Sequence, residues 1–440
     1  MYKLRCAVEI NYHWGCRGEE SIVAELKKDD DPSFEVSKDQ HYAEYWFGTH
    51  ASGPSEILVG DHYELLKSFI EEHPECLGSS IGKEKLELPF LSKVLSVETA
   101  LSIQAHPDKK LAEYLYKTKP ELYKDDNHKP EMAYALTPFT AMCGFRRAEV
   151  IVQHLHECTF LRELIGESEC VAFETAIKEG QDTKAALRRL FSAYIEADPA
   201  RAKSVIDSAK RFYDEKRDLS FLERWVRRLM DTYPTDGGVF APFLLNVVEM
   251  KPGDSIYMGA DIPHAYLQGE IVESMACSNN VVRAGLTPKA IDKETLLAML
   301  TYECGDMEVL RPKRKDAHYA VVTTQAKEFM LEIVEAKKGE SVELPVVDVP
   351  RIVIGFAGKG RMEWGAESIA LKRGSILFQT AQNAARIVAE EDLLLYATRE
   401  RTDLDCSVSS PPPAPRRLRP AAPSRAARPA AARRGPSAAA

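Results

Sequence analysis

The spacing of apolar residues changes along the chain and divides it into β-rich and helical regions. In residues 1–147, short apolar runs alternate with turn residues, which is typical of strands. From residue 148 to 233, apolar residues recur every three or four positions and glycine is nearly absent, which predicts a helical domain. Asp198-Pro199 marks a helix start there, because Asp caps free amides and Pro fits the first turn. A further helix is predicted at residues 61–72, inside the first β-rich region.

The β pattern returns after residue 233 and contains a weak internal repeat. Lys251–Met258 is echoed by Lys372–Phe378, but only the first copy continues to a Pro-His pair, Pro263-His264. This favours two antiparallel β-barrels, of which one carries site residues. The predicted fold class is therefore mainly β with an α-helical insertion at residues 148–233.

The repeat and the helical insertion together predict how the chain divides into domains. A catalytic unit is expected at residues 1–147 and 234–305. A second β-unit, without metal ligands, is expected at residues 306–400. Residues 401–440 are rich in Pro, Ala and Arg and poor in large apolar residues, so we predict a disordered tail.

Composition restricts where the protein works. With 45% hydrophobic and 28% charged residues, the chain has the composition of an ordinary globular protein. No apolar run reaches the roughly 20 residues of a membrane span, and the first residues show no secretory signal pattern. The nine cysteines include no CxxC pair, which indicates free thiols in a reducing compartment. We expect a cytoplasmic protein that does not bind a membrane.

The charge is unevenly distributed. The net charge is −9, yet residues 411–440 hold seven arginines and no acid, so residues 1–410 carry −16. An acidic body argues against nucleic-acid binding. For the arginine-rich segment, a solvated tail is the simpler interpretation, and weak binding to an acidic surface is the alternative.

Three short segments carry candidate metal ligands. Gln104 and His106 are two apart, so on a strand both side chains point the same way, and Pro107 then ends the strand. Glu131 follows a proline at the start of a predicted strand, and His264 lies between apolar residues. Each signal alone also fits a solvated loop or a buried core histidine. Together, one amide oxygen, one carboxylate and two imidazoles suit a divalent ion such as zinc, with a position left for substrate.

Arg283 adds a candidate anion-binding group. It lies between apolar residues, where a guanidinium is costly to bury unless an anion faces it. The alternative is a structural ion pair with Glu270 or Glu273.

Several stretches together carry a resemblance to a known family. The chain resembles the type I mannose-6-phosphate isomerases, also called phosphomannose isomerases, of the cupin class. The match covers about residues 1–300, and residues 300–400 agree in character only. The matching stretches are Asn11–Gly15, Ala43–His50, Ser52–Ser55, Leu88–Ser96, Ser102–Pro107, His128–Met132, Pro263–Leu267 and Val281–Lys289.

The resemblance implies a fold, a reaction and a set of site residues. It implies two cupin-type jelly-roll barrels, one Zn²⁺ per chain, and conversion of mannose 6-phosphate to fructose 6-phosphate through an enediol. The expected substrate is a small sugar phosphate, the expected state a monomer, and the expected role the supply of mannose 6-phosphate for GDP-mannose and glycan synthesis. The implied zinc ligands are Gln104, His106, Glu131 and His264; the implied catalytic residues are Arg283 and Lys129; the implied substrate-binding residues are Ser102, Lys93, Tyr266 and Glu273. Lys129, Glu273 and metal-bound water remain open as the proton carrier, and Lys93, Arg283 and Lys289 as partners of the phosphate.

One departure keeps other functions open. The family usually has Ser-Asp-Asn before the arginine, whereas this chain has Ser278-Asn279-Asn280, and Asn279 cannot ionise. A cupin that binds zinc and sugar phosphate without turnover is therefore an alternative. An iron-dependent cupin oxygenase is a second, although such sites favour histidine-rich ligand sets over a glutamine.

Overall fold

The computed structural model describes residues 1–79, 85–402 and 405. Most of the predicted tail lies outside the described residues. None of the described helices is long and apolar enough to span a bilayer.

Strands dominate both ends of the chain, and every ladder between them is antiparallel. The strands before residue 305 are β1 (Tyr2–Arg5), β2 (Ala7–Glu9), β3 (Cys16–Arg17), β4 (His41–Tyr42), β5 (Glu44–Phe47), β6 (Glu56–Val59), β7 (His62–Leu65), β8 (Phe90–Val97), β9 (Ile103–Ala105), β10 (Glu131–Ala135), β11 (Phe139–Phe145), β12 (Leu245–Met250), β13 (Ser255–Met258), β14 (His264–Ala276) and β15 (Val282–Gly285). The later strands are β16 (Lys313–Arg314), β17 (Tyr319–Val322), β18 (Met330–Ala336), β19 (Ser341–Glu343), β20 (Arg351–Ala357), β21 (Lys359–Trp364), β22 (Glu367–Lys372), β23 (Ile376–Gln379), β24 (Arg386–Ala389) and β25 (Leu393–Arg399).

Most of the helices lie in one stretch of the chain, between strands β11 and β12. They are α1 (Ile22–Asp30), α2 (Leu66–Glu72), α3 (Lys109–Thr118), α4 (Ala148–Glu157), α5 (Thr159–Ile165), α6 (Glu167–Lys178), α7 (Thr183–Ile195), α8 (Pro199–Glu215), α9 (Phe221–Thr232) and α10 (Lys293–Met299). Short 3₁₀ turns lie at Gly18–Glu20, Pro74–Leu77 and Gly237–Phe243. The helical insertion predicted from the apolar spacing is thus confirmed, and the fold is mainly β.

Local sequence signals set the helix boundaries in the insertion. Helix α8 begins at Pro199, and the Asp198 side chain accepts the amide of Arg201, as the Asp-Pro pair predicts. Helix α9 begins after Ser220, which forms a reciprocal capping box with Glu223. The helix predicted at residues 61–72 is confirmed only for Leu66–Glu72, which is α2. Its first part is wrong, because His62–Leu65 is strand β7.

The sheet that supports the first unit's site contains β12, β11, β14, β8, β5 and β2 in that order, with β9, β10, β13 and β15 branching from it. A second sheet runs β16-β17-β18-β25-β20-β23-β1-β6-β7, and β19, β24, β21 and β22 form a third. Facing sheets of this kind are the jelly-roll form of the barrel, the cupin architecture. Strand β1 lies between β23 and β6, so the N-terminus joins the later strands into one sheet.

The outer face of the site sheet packs against strands β16–β25, the part of the chain predicted as the second unit, and both parts belong to the one compact body of residues 1–401. Val94, Met132 and Val272 from the first unit share one apolar core with Ile352 and Phe378 from the second. The site strands therefore have the site on one face and the second unit on the other.

The interior of the second unit holds a buried ion cluster. Glu332 on β18 lies between Arg351 on β20 and Arg399 on β25, with Nε to carboxylate distances of 2.6 Å for both arginines. Gln379, which ends the repeated segment, accepts from Arg351 Nη1 at 3.3 Å. Two positively charged guanidinium groups thus occupy the second unit's interior, and their charge disfavours a metal ion there.

Candidate active site

Three of the four predicted metal ligands converge in the first unit. Glu131 Oε2 lies 3.3 Å from His106 Nε2 and 3.1 Å from His264 Nε2, and all three residues are buried. Within the described residues, this trio forms the group of His, Cys, Asp and Glu side chains whose ligand atoms all lie within 4.8 Å of one another.

Sheet geometry explains why these distant residues meet. His106 follows the end of β9, Glu131 begins β10, and His264 begins β14. Gln104 lies on β9, directly opposite His264 on β14 and Arg283 on β15. Gln104 also lines the adjoining cavity. The fourth predicted ligand therefore lies on the strand next to His264, at the cavity wall.

The two histidines are oriented by backbone carbonyls. His106 Nδ1 lies 2.7 Å from the Asn280 carbonyl, and His264 Nδ1 lies 2.9 Å from the Ile262 carbonyl. Each Nδ1–H donates to a backbone carbonyl oxygen, and this contact holds the ring with its Nε2 atom toward Glu131.

The trio fits a metal cation. Burial lowers the pKa of His106 to about 4, which makes the ring neutral at pH 7, and its Nε2 atom has no hydrogen-bond partner among the described residues. A buried lone pair beside a carboxylate is unfavourable unless a cation binds both. Burial raises the pKa of Glu131, but Lys129 and His106 outweigh it and hold that pKa well below its ordinary value. A buried carboxylate and two imidazoles are ligands that zinc accepts.

Lys129 lies beside the trio and faces the same cavity. Its Nζ atom is 2.9 Å from Glu131 Oε1, the carboxylate oxygen that points away from the histidines. Lys129 also lines the cavity, whose volume is about 510 Å³.

A second buried network lies on β5, β8 and β14. Lys93 Nζ is 3.5 Å from Glu44 Oε1 and 3.5 Å from Glu273 Oε2. The Tyr266 hydroxyl donates to Glu273 Oε1 at 2.8 Å. The ammonium of Lys93 also lies 4.2 Å from the centre of the Trp46 ring.

Burial and charge set the protonation of this network. Burial lowers the pKa of Lys93, but Glu44 and Glu273 outweigh it and raise that pKa above its ordinary value, so Lys93 is charged. Burial, followed by the charge of Glu131, raises the pKa of Glu273 above its ordinary value. Glu273 is therefore a carboxylate that accepts a proton more readily than usual.

Arg283 faces the cavity without a carboxylate partner in the described part of the chain. Burial lowers the pKa of this half-buried guanidinium, and the Tyr12 hydroxyl is the group that opposes the shift. The predicted alternative, a structural pair with Glu270 or Glu273, is wrong. Glu270 accepts from the Ile22 amide and the Ser96 hydroxyl, and Glu273 binds Lys93 and Tyr266.

The predicted site residues differ in whether they line the cavity. Lys93, Ser102, Gln104, Lys129 and Arg283 line the cavity wall. His106, Glu131, His264, Tyr266 and Glu273 are buried and do not line it, and Lys93 and Lys129 are buried as well. Lys289 is exposed on the cavity wall, close in sequence to Arg283.

Sequence reasoning missed several other side chains that line the cavity, namely Tyr12, Trp14, Glu44 and Trp46. Glu44 holds Lys93, and its other oxygen accepts the Trp46 indole N–H at 2.7 Å. Tyr12 stacks on Trp14, with ring centres 5.6 Å apart. A Cβ at Gly15 would lie 2.6 Å from the Ala43 Cα, so glycine lets this wall approach β5. A charged residue next to aromatic residues in Glu44-Tyr45-Trp46 was the available signal.

Asn279 lines the cavity from an exposed position. Its backbone N–H donates to Asp125 Oδ2 at 2.7 Å, and the side chains of Ser278 and Asn280 donate to the same aspartate. Asp125 therefore fixes the conformation of the loop whose carbonyl orients His106.

Comparisons with known proteins agree with this geometry. The family model described as phosphomannose isomerase type I, catalytic domain, matches residues 1–148, and its helical insertion domain matches residues 164–245. Mannose-6-phosphate isomerase 1 of Arabidopsis thaliana is 39% identical over 401 residues, covering 90% of this chain and 92% of the relative. The human mannose-6-phosphate isomerase is 36% identical, covering 90% and 97%.

Solved structures show the same fold. A zinc-bound mannose 6-phosphate isomerase superposes with a TM-score of 0.77 at 27% identity, covering 91% of this chain and 99% of that chain. An arginine-to-alanine mutant of the phosphomannose isomerase from Salmonella typhimurium gives a TM-score of 0.77 at 28% identity, covering 91% and 100%.

Proposed function

The chain belongs to the type I phosphomannose isomerase family, and from that premise we propose how its own residues carry out the reaction. The enzyme interconverts mannose 6-phosphate and fructose 6-phosphate and uses Zn²⁺. The observation that carries this function is the convergence of His106, Glu131 and His264 beside a cavity that also presents the guanidinium of Arg283, which pairs with no carboxylate among the described residues.

The metal would be held by the buried trio together with the amide oxygen of Gln104. A bound zinc ion supplies Lewis-acid stabilisation of sugar oxygens. Lys129 keeps Glu131 ionised, and the carbonyls of Asn280 and Ile262 keep both imidazoles turned toward it.

The reaction requires stabilised negative charge. Moving a proton between C1 and C2 through a cis-enediol places charge on O1 and O2, and sugars are weak carbon acids. Arg283 supplies fixed positive charge at the cavity wall, and preorganised charge of this kind is usually the largest catalytic contribution. Ser102 lies on the same wall and offers a hydroxyl to the sugar.

Glu273 is the proton carrier that the electrostatics favour. Its raised pKa suits an acid–base group, and the Tyr266 hydroxyl and Lys93 fix its orientation. Lys129 is held by Glu131 and contributes charge toward substrate.

The 6-phosphate binds at the exposed rim. Lys289 is exposed on the cavity wall, whereas Lys93 is buried between two carboxylates. Lys289 thus supplies charge for the phosphate without a desolvation cost, and Arg283 lies on the same wall.

The remaining proposals concern the protein's localisation, its oligomeric state and its metabolic role. The chain acts as a cytoplasmic monomer on a small sugar phosphate, without nucleic acid, and its mannose 6-phosphate enters GDP-mannose and glycan synthesis. The acidic charge of residues 1–410 supports the absence of nucleic-acid binding.

A coupled activity assay and metal analysis on the same protein preparation test this function. We expect conversion of mannose 6-phosphate to fructose 6-phosphate in a coupled assay and about one zinc per chain by metal analysis. Exhaustive chelation is expected to abolish turnover, and added Zn²⁺ to restore it. Zinc and sugar binding without turnover would favour the non-catalytic cupin, and iron with oxygen uptake the oxygenase.

A further inference from the structure

The strands β8 and β14 present different chemistry on their two faces. They pair antiparallel, with Lys93 directly opposite Glu273 and Ser92 directly opposite Ser274. Neighbouring side chains on a strand point to opposite faces. Because Lys93 and Glu273 belong to the site network, Ser92 and Ser274 face away from it, toward the second unit.

The second unit places one hydroxyl against this serine pair. Thr398 on β25 donates from Oγ1 to Ser92 Oγ at 3.0 Å, and its Oγ1 lies 3.3 Å from Ser274 Oγ. All three side chains are fully buried. Three strands from two units thus share one hydrogen-bonded hydroxyl cluster, which lies behind the Lys93–Glu273 pair.

The position of Thr398 is fixed within its own unit. It pairs with Ile352 on β20 and with Leu331 on β18, so β25 lies in the interior of its sheet. The next residue, Arg399, is bound to the buried Glu332. Thr398 therefore moves little relative to the second unit.

The surroundings make these hydroxyl bonds costly to lose. Val94 and Val272, the strand neighbours of Lys93 and Glu273, pack in the apolar core between the units. A serine hydroxyl left unpaired there gains no water in exchange, so the strands would shift to recover a partner. A shift of β8 against β14 changes the 3.5 Å separation between Lys93 Nζ and Glu273 Oε2.

We propose that Thr398 is a positioning residue for the isomerase reaction: by bridging Ser92 and Ser274, it sets the spacing of Lys93 and Glu273 on the opposite face of the sheet. This gives the second unit, which carries no metal site in its described residues, a direct part in the reaction geometry. The inference rests on the roles proposed above for Lys93 and Glu273.

The test compares three variants of the full-length, zinc-loaded enzyme. Thr398→Val keeps the shape of the side chain and removes its hydroxyl, and we expect kcat to fall about tenfold with KM within about twofold, since small displacements of reacting groups reduce turnover strongly. Thr398→Ser restores the hydroxyl and is expected to recover kcat to within about twofold of wild type. Ser375→Ala is the matched control, because it removes another buried hydroxyl of the second unit, one that accepts the Lys372 amide.

Folding of each variant is checked by thermal unfolding, and kinetics are measured well below the lowest midpoint. An unchanged kcat in Thr398→Val overturns the inference. So does a rise in KM alone, a loss that Ser375→Ala shares, or a loss that Thr398→Ser leaves in place.

Two further variants separate this inference from the proposed function. Lys93→Met and Glu273→Gln are each expected to lower kcat more than Thr398→Val does, because they remove the groups that Thr398 positions. Near-wild-type turnover in both would refute the roles assigned to that pair. Loss of turnover in both, with normal turnover in Thr398→Val, would overturn the positioning role alone.

Discussion

At the scale of single residues, the site is defined by what each side chain is bonded to. Lys93 and Arg283 both line the cavity, yet Lys93 lies between two carboxylates and Arg283 pairs with none in the described part of the chain. A cation already neutralised by neighbours attracts a new anion weakly. Arg283 is therefore the arginine expected to meet charge that develops on substrate.

Removing that guanidinium tests its role. We expect Arg283→Ala to lower kcat by a factor of about 10² to 10³, the usual effect of losing one preorganised donor to a developing oxyanion. The zinc content should stay at the wild-type value, because Arg283 is not one of the three residues whose ligand atoms converge, His106, Glu131 and His264. A coupled assay and metal analysis on the same samples measure both quantities.

Arg283→Lys is the matched control, since it keeps the charge but loses the planar pair of donors. We expect its turnover to lie between wild type and Arg283→Ala. Near-wild-type turnover in the alanine variant with intact zinc would remove Arg283 from catalysis.

At the scale of elements, strands place side chains by alternation, and the two units use their interiors differently. In the first unit, β10 and β14 carry Glu131 and Glu273 toward the site. In the second, β18, β20 and β25 bring the buried Glu332 between Arg351 and Arg399. The same architecture thus holds a metal site in one unit and an ion cluster in the other.

The ion cluster predicts a large stability effect. Glu332→Gln removes the carboxylate that the buried Arg351 and Arg399 share, and breaking a buried pair in this way costs about 3–5 kcal/mol of unfolding free energy. Glu335→Gln on the same strand is the control. Glu335 is exposed and pairs with Arg314 at the surface, so its loss should cost no more than about 1 kcal/mol. Urea unfolding measures both changes.

The same cluster predicts a pH dependence. Burial raises the pKa of Glu332, but Arg351 and Arg399 outweigh it and lower that pKa below its ordinary value. A carboxyl whose pKa is lowered by folding adds stability above its unfolded pKa, which is about 4.3, and that stability is lost as pH falls toward the folded pKa. The difference in unfolding free energy between wild type and Glu332→Gln should therefore narrow below about pH 4. A constant difference down to pH 3 would contradict this assignment.

At the scale of the whole molecule, the described site and core lie before residue 402. The metal trio, the Lys93 network and the four buried apolar clusters all belong to residues 1–401. The segment 411–440 contributes seven arginines to the net charge and contains none of the proposed site residues.

Truncation tests that separation. A chain ending at residue 410 is expected to keep kcat and KM within about twofold of wild type, because no site residue is removed and ionic screening limits the effect of distant charge. Salt-sensitive retention on immobilised RNA by the full chain, lost on truncation, would support the alternative that this segment binds an acidic surface. A large fall in kcat on truncation would contradict the prediction.

The sequence by itself determined what depends on neighbouring residues. The helical insertion follows from apolar spacing, the start of α8 from Asp198-Pro199, and the start of β10 at Glu131 from the proline before it. The pairing of Gln104 with His106 was also readable, because the two residues lie two positions apart where β9 ends. These signals act over a few residues, so they survive without knowledge of the fold.

Only the tertiary structure decided what depends on pairing between distant strands. It placed β1 beside β23, made residues 62–65 a strand beside β6, and assigned Glu270 to Ile22 and Ser96 rather than to Arg283. It also brought Thr398 into a hydrogen bond with Ser92, the neighbour of Lys93, although Thr398 and Ser92 are more than 300 positions apart. Strand pairing depends on which distant segments bury each other's apolar faces, and no local spacing encodes that choice.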